Sequence, residues 1–196
     1  MTNGSTDQIA RWFSDHDDGE FVRAALDDAF AIGGTENETG RVLYTTKPTT
    51  LAHVLRRHNL ATRVTTIGRY GLPNEHDVTE LLSFVRGRPF AFLGDADPPD
   101  LLVFAWLRSH LPITYLGIND TLVETLGIEV DDTIAIRLAD SELSSMPLLA
   151  VTCPDYRGLL GPQITQLLDS GSKLEIESIA SVSRGDGKAF ASLFVF

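Results

Sequence analysis

Two aspartates separated by one residue, Asp95 and Asp97, are the side chains in this sequence best placed for chemistry. They follow the apolar run Phe90–Leu93, and a run that is apolar on both faces is typical of a buried strand in a parallel sheet. On an extended backbone, residues i and i+2 project to the same side, so the two carboxylates can share one cation. The spacing therefore indicates an acidic metal site at an exposed turn.

The same turn also has a purely structural interpretation. Asp97 or Pro98 begins a helix, and proline is tolerated there because the first turn of a helix needs no N–H from it. Acidic residues between Asp95 and Asp100 would satisfy free backbone amides and interact favourably with the helix dipole. From the spacing alone, helix capping and metal binding both stay open.

A regular alternation of strand and helix patterns surrounds this turn and predicts an α/β fold. Four short apolar segments alternate with helical ones, which is typical of a Rossmann-like parallel sheet of about four strands flanked by helices. The strands are expected at residues 42–45, 63–67, 90–93 and 113–117, and the helices at 49–58, 75–85 and 101–110. Functional groups in such sheets lie beyond the carboxyl ends of the strands. The candidate turns are therefore Thr46-Lys47, residues 68–71, Asp95 with Asp97, and Asn119-Asp120.

Two further parts flank the α/β domain, which we expect to span residues 41–137. Residues 1–40 predict an acidic N-terminal helical hairpin: Ile9, Trp12 and Phe13 form its first apolar stripe, and residues 21–30 continue it until Gly33-Gly34. After Asp120 we expect a helix at 121–126 and a strand at 133–137. Residues 138–196 predict a small α/β extension packed on the domain, with helices at 163–169 and 173–180 and an apolar strand-like run at 189–196.

Composition limits the classes of function. The net charge of −11 argues against a protein that coats nucleic acid by itself, because phosphate contacts require clustered Lys and Arg. The one basic patch, Arg56, Arg57, Arg63 and Arg69, either faces phosphates or is solvated surface. The single cysteine excludes an internal disulfide, and no histidines have zinc-ligand spacing. With no apolar run of about 18 residues and no basic leader, we expect a cytoplasmic location without membrane contact.

The segment Gly94-Asp95-Ala96-Asp97-Pro98, between a strand and a helix, resembles the Toprim fold of type IA, II and VI topoisomerases, DnaG-type primases and several nucleases. The likeness is strongest to the A subunit of topoisomerase VI, and the Toprim nuclease of Wadjet plasmid-defence systems has a similar turn. The likeness continues in residues 164–179, whose Lys-x-Glu-Ile stretch from Lys173 to Ile176 is similar to that subunit's C-terminal segment. It covers residues 41–184.

The resemblance implies that Asp95 and Asp97 bind Mg²⁺ near a scissile phosphodiester. A family glutamate at the end of the first strand is replaced here by Thr46, which is a weaker metal ligand and no general base at neutral pH. Lys47 follows it, as in some relatives, and Asp100 stands where many relatives have glycine. No tyrosine precedes the first strand, so cleavage through a phosphotyrosine is not expected.

Two functions follow from these residues, with a third interpretation beside them. The first is a degenerate, non-catalytic Toprim-like module of DNA-processing type that acts with a protein partner and binds Mg²⁺ weakly. The second is an active Mg²⁺-dependent nuclease or phosphodiesterase in which Asp120 replaces the glutamate, so that the candidate catalytic residues are Asp95, Asp97, Asp120 and Lys47. Asp120 has an ordinary alternative role as the N-cap of the helix at 121–126. The third is an unrelated Rossmann-like domain for a small phosphorylated ligand, against which the absence of a glycine-rich loop counts.

Overall fold

Strands and helices alternate along the chain in the computed structural model, which describes residues 3–16, 31–33, 40–57 and 65–183. The strands are β1 (Ala31–Gly33), β2 (Val42–Thr45), β3 (Thr65–Gly68), β4 (Phe90–Leu93), β5 (Thr114–Tyr115), β6 (Ile136–Arg137) and β7 (Ser172–Lys173). The helices are α1 (Asn3–Asp15), α2 (Pro48–Arg57), α3 (Glu75–Val85), α4 (Pro98–His110), α5 (Asp120–Leu126), α6 (Asp140–Thr152), α7 (Tyr156–Leu160), α8 (Pro162–Asp169) and α9 (Ile176–Val182).

The main sheet has the strand order β1-β3-β2-β4-β5. Strands β3, β2, β4 and β5 run parallel, which confirms the predicted four-stranded parallel sheet of a Rossmann-like α/β fold. Thr45 at the end of β2 pairs with Leu93 at the end of β4. The turns that follow these two strands therefore meet at the same edge of the sheet.

The centre of the sheet is apolar on both faces. All four residues of β2 and of β4 are buried, as parallel strands covered by helices should be. Tyr44, Phe92 and Tyr115 stack across three neighbouring strands, with ring centroids 6.0 and 6.2 Å apart. Helix α4 is buried along residues 101–107, because it packs on the sheet through Phe104 and against α6 and α1. This rigid layer holds the turn between β4 and α4 in place.

At the N-terminus the structure departs from the predicted helical hairpin. Helix α1 is present, but residues 21–30 lie outside the described residues. The predicted end of the second helix at Gly33-Gly34 is wrong, because Ala31–Gly33 forms an antiparallel edge strand on β3. Its backbone hydrogen bonds to β3 are tertiary contacts, which helical periodicity alone does not reveal.

The C-terminal region contains two helices, α6 and α7, that the sequence did not predict, and a strand at the start of an expected helix. Helix α6 has Pro147 inside it, a residue that normally argues against a continuous helix. The expected helix at 173–180 is wrong at its start, because Ser172–Lys173 pairs with β6 and α9 begins only at Ile176. The expected strand at 133–137 is limited to Ile136–Arg137, and the run at 189–196 lies outside the described residues.

Candidate functional site

A cavity of about 890 Å³ lies at the carboxyl ends of β2, β3 and β4. The turns after these strands contribute Thr46 and Lys47, Tyr70 and Gly71, and Asp95 with Asp97, so the structure brings three of the four predicted turns together. The other sides come from α1, α4, α6 and the segment around β7, through Trp12, Phe13, His16, Asp100, Glu142, Lys173 and Glu175.

The Asp95 carboxylate is held from two sides. Its Oδ2 lies 2.7 Å from Lys47 Nζ, and its Oδ1 accepts a hydrogen bond of 2.8 Å from the backbone N–H of Ile176. The side chain is only 2% exposed, because residues 172–177 lie across the turn and Ala96 donates its backbone N–H to the Leu174 carbonyl at 2.9 Å. The expectation that this turn is exposed is therefore wrong.

Asp97 is the N-cap of α4. Its Oδ1 accepts the backbone N–H of Asp100 at 2.9 Å, which satisfies one of the free amides of the first turn. Its Oδ2 lies 3.7 Å from Lys173 Nζ and faces the same cavity as Asp95. The capping interpretation of the turn is thus confirmed for Asp97. Both carboxylates also line one cavity, whereas the shared cation stays a prediction.

The third buried carboxylate of the cavity belongs to Asp100, on the first turn of α4. Its Oδ2 accepts hydrogen bonds from Thr46 Oγ1 at 2.8 Å and from the Asp95 backbone N–H at 2.6 Å. A Cβ on Gly94 would come within 2.5 Å of this oxygen, so the close approach needs glycine. Sequence reasoning registered Thr46 and Asp100 as two separate departures from the Toprim pattern and missed that they contact each other.

Two lysines are surrounded by these acids. Lys47 Nζ lies 2.7 Å from Asp95, 2.8 Å from Glu177 and 3.8 Å from Glu175. Lys173 Nζ lies 2.9 Å from Glu142, 3.1 Å from Glu175 and 3.7 Å from Asp97. Lys47 was a predicted site residue. Lys173 was noted only as part of a resembling stretch, and no local pattern indicates that it reaches the cavity.

Burial sets the protonation behaviour of the cluster. Loss of solvation, followed by the nearby charge of Asp100, raises the pKa of Asp95 to about 7. Burial also raises the pKa of Asp97 and of Asp100 above the ordinary range. For Lys47 burial lowers the pKa, but the carboxylates of Asp95 and Glu177 outweigh it and the net pKa is raised. For Lys173, too, the nearby carboxylates outweigh burial and raise the pKa. Both lysines therefore stay charged, beside aspartates whose pKa values are raised by burial.

Asp120 occupies a different place in the fold. Its two carboxylate oxygens accept the backbone N–H groups of Gln163 and Ile164, both at 2.9 Å, at the start of α8. The N-cap of α5 is Asn119, whose side chain accepts the Leu122 N–H, so the expected N-cap role of Asp120 is wrong. Within the described ranges, the residues that line the cavity include neither Asn119 nor Asp120.

The predicted basic patch is only partly available. Arg56 and Arg57 are exposed in the last turn of α2, where their positive charges interact favourably with the helix dipole. Arg69 Nη1 pairs with Asp77 at 2.7 Å, and both side chains are largely buried. Arg63 lies outside the described residues. In the described part of the chain, the exposed arginines of the patch that could contact a phosphate are therefore Arg56 and Arg57.

The donor set at the cavity does not fit Mg²⁺. This ion needs oxygen atoms directed at one point, in an octahedron with bonds of about 2.0–2.1 Å. In residues 3–16, 31–33, 40–57 and 65–183, no group of three or more His, Cys, Asp or Glu side chains is arranged to hold a metal. Both oxygens of Asp95 already accept hydrogen bonds or an ion pair, and ammonium groups stand beside Asp95 and Asp97. A divalent cation would have to displace them.

No protein-family model matches this chain, and a search of curated proteins found none that is similar. None of the described helices combines the length and the apolar composition needed to cross a membrane. The case for a function therefore rests on the residues of the cavity and on the resemblance of the Asp95–Asp97 turn.

Proposed function

We propose that this chain is a degenerate, non-catalytic Toprim-like module of DNA-processing type. The observation that carries the proposal is the environment of Thr46. It follows β2, beside the turn that holds Asp95 and Asp97, and donates a hydrogen bond to Asp100. A carboxylate at this position would be needed to take up a proton or bind a metal, and the threonine hydroxyl does neither well.

The state of the two aspartates supports the non-catalytic part of the proposal. Metal-assisted hydrolysis of a phosphodiester needs carboxylate oxygens free to hold an ion and a group that orients water. Asp95 is bound to Lys47 and to the Ile176 backbone, and Asp97 caps α4. In the proposed module these two aspartates therefore bind no Mg²⁺, although the resemblance implies that they do.

The contacts of Asp120 give the nuclease alternative no support. That alternative requires Asp120 to take the place of the missing glutamate beside Asp95 and Asp97. Its carboxylate is instead a cap for α8, and both of its oxygens accept backbone N–H groups. The proposal keeps the protein partner and the cytoplasmic location that were expected from the sequence.

A plasmid-nicking assay tests the proposal. Supercoiled plasmid is incubated with the wild-type chain and about 10 mM Mg²⁺ or Mn²⁺, roughly tenfold above the weakest dissociation constants typical of protein Ca²⁺ sites. Asp97→Asn, purified in the same way, is the matched control for contaminating nuclease. We expect the two proteins to produce equal, background amounts of open circular DNA. Metal-dependent nicking by the wild type that Asp97→Asn lacks would contradict the proposal.

A second measurement separates this proposal from a Rossmann-like domain for a small ligand. Thermal unfolding is followed with a panel of nucleoside phosphates and sugar phosphates, because a ligand that binds only the folded state raises Tm. We expect no member of the panel to raise Tm. A concentration-dependent increase with one member would favour the small-ligand interpretation over the Toprim-like one.

A further inference from the structure

We propose that Lys47 and Lys173 are permanent counter-ions of the acidic cavity, and that residues 172–177 form a strap that keeps divalent cations from its carboxylates. The inference rests on contacts within the chain and does not depend on a role in DNA processing. In many acidic clusters a bound metal ion balances the negative charge. Here ammonium groups of the same chain take that place.

Each ammonium group has a shell of three carboxylates. Lys47 Nζ is within 4 Å of Asp95, Glu175 and Glu177, and Lys173 Nζ is within 4 Å of Asp97, Glu142 and Glu175. Glu175 belongs to both shells and so links the two positions. Because several carboxylates surround each positive charge, this arrangement is that of a cation site rather than of a simple surface ion pair.

The residue type at both positions favours this interpretation. Lysine occurs at three positions only, 47, 173 and 188, and the other basic residues of the chain are arginines. An ammonium group is a compact point charge, whereas a guanidinium is a planar fork that prefers bidentate pairing. A closed group of carboxylates accommodates a small cation better than a large planar one. Two of the three lysines in the chain lie in this carboxylate cluster.

The strap is anchored by its own backbone, independently of the lysine. Leu174 accepts the Ala96 N–H at 2.9 Å, and Ile176 donates its N–H to Asp95 at 2.8 Å. The side chains of Leu174 and Ile176 are both 0% exposed. The two anchoring residues flank Glu175, and the first of them directly follows Lys173. The backbone next to Lys173 is therefore fixed in the core, which holds the Lys173 ammonium group near Asp97.

Removal of the Lys173 ammonium group would leave carboxylates around an open position. Asp97 and Glu142 would then lose the ammonium group of Lys173. Glu175 would keep only Lys47, at 3.8 Å. Oxygen donors of this kind suit hard divalent cations. These three carboxylates are not arranged to hold a metal while the ammonium group lies among them. We therefore expect a metal to bind only after removal of that group lets the carboxylates move together.

Thermal unfolding of matched variants tests the strap. Lys173→Met keeps the aliphatic stem and removes the charge, Lys173→Arg keeps a charge, and Arg157→Ala removes a cation from the exposed pair with Asp169. Each protein is unfolded with and without about 10 mM Mg²⁺ or Mn²⁺, since binding to the folded state raises Tm. We expect Lys173→Met to unfold at a lower temperature and to regain several degrees with metal. The wild type, Lys173→Arg and Arg157→Ala should show no such increase.

Two results would overturn the inference. One is an increase in the wild type as large as in Lys173→Met, because the acids would then be open to metal despite the lysines. The other is a folded Lys173→Met that does not respond to metal, because the lysine position would then be no cation site. Should Lys173→Met not fold, electron paramagnetic resonance of Mn²⁺ with the wild type decides: a full signal of free Mn²⁺ supports the strap, and stoichiometric loss of that signal refutes it.

Discussion

The hydrogen bond between Thr46 and Asp100 joins the end of β2 to the first turn of α4. Both side chains are buried, at 6% and 8% exposure, and the Asp100 carboxylate is further held by the Asp95 N–H. A buried carboxylate that loses one of its hydrogen-bond donors is left partly unsatisfied, which costs free energy. The pair therefore stabilises the turn as a unit.

A double-mutant cycle tests this coupling at the residue scale. We expect Thr46→Val to lower the free energy of unfolding by about 1–3 kcal/mol, because it leaves the Asp100 oxygen short of a donor. The loss should be smaller when Asp100→Asn is already present, which gives a coupling energy of the order of 1 kcal/mol. Urea denaturation measures all four proteins, with the exposed Thr125→Val as a near-neutral control. Strict additivity of the two substitutions would contradict the coupling.

The site residues that could be predicted from the sequence are those next to the strand ends. Asp95, Asp97 and Lys47 follow recognisable strands, and the topology of a parallel sheet brings such positions to one edge. Lys173 and Glu142 reach the same cavity from far along the chain. Their approach depends on how β7 and α6 pack, and no local spacing encodes that packing.

At the scale of elements, Asp120 connects α5 to α8. It is the first residue of α5 and caps the N-terminus of α8, which begins immediately after Gly161. Gly161 has φ +84°, and a Cβ at this position would lie 2.5 Å from the Asp120 carboxyl carbon. The carboxylate thus sits tightly against the turn that starts α8 and supplies acceptors for its free amides.

We expect Asp120→Ala to lower the free energy of unfolding by about 2 kcal/mol, because two backbone N–H groups lose a charged acceptor. Asp120→Asn should lose less, since one oxygen acceptor remains. Urea denaturation checks both variants, and Asp132→Ala, at an exposed position, is the control. Wild-type stability in Asp120→Ala would mean that the residue is free for another role, such as the catalytic one.

Elements were predictable where local chemistry marks both ends. Helix α3 and strand β4 have the expected bounds: Asn74 and Asp77 form a capping box at the start of α3, and Gly94 follows β4. Helix α6 was missed because Pro147 interrupts its pattern, although packing on α4 and α1 stabilises it. Strand β7 lies at the start of an expected helix because Ser172–Lys173 pairs with β6, and the next residue, Leu174, bridges to Ala96. These pairings outweighed the local helical preference.

At the scale of the whole molecule, an ion pair links α4 to the connection between α6 and α7. Arg108 donates two hydrogen bonds to Asp155, of 2.7 and 2.8 Å, and lies over the Phe104 ring. These hydrogen bonds lower the pKa of Asp155 below its ordinary value. A group whose pKa is lowered on folding stabilises the protein above its unfolded pKa, and this contribution is lost as the pH falls through the folded pKa.

The stability of Asp155→Asn relative to the wild type should therefore depend on pH. At neutral pH the wild type should have the higher Tm. The difference should shrink as the pH falls below about 4, near the unfolded pKa of aspartate, and it should be smallest at the lowest pH. Calorimetric scans between pH 7 and pH 2.5 check this, and an unchanged difference at acid pH would show that the ion pair does not carry the effect.

The central claim is that this molecule neutralises its buried acids with its own lysines and needs no divalent cation. Calorimetric titration of the wild-type chain with Mg²⁺, continued to about 10 mM, measures this most directly. We predict heats equal to those of dilution, for the wild type and for Asp97→Ala alike. A saturable isotherm in the wild type that is absent in Asp97→Ala would contradict the account.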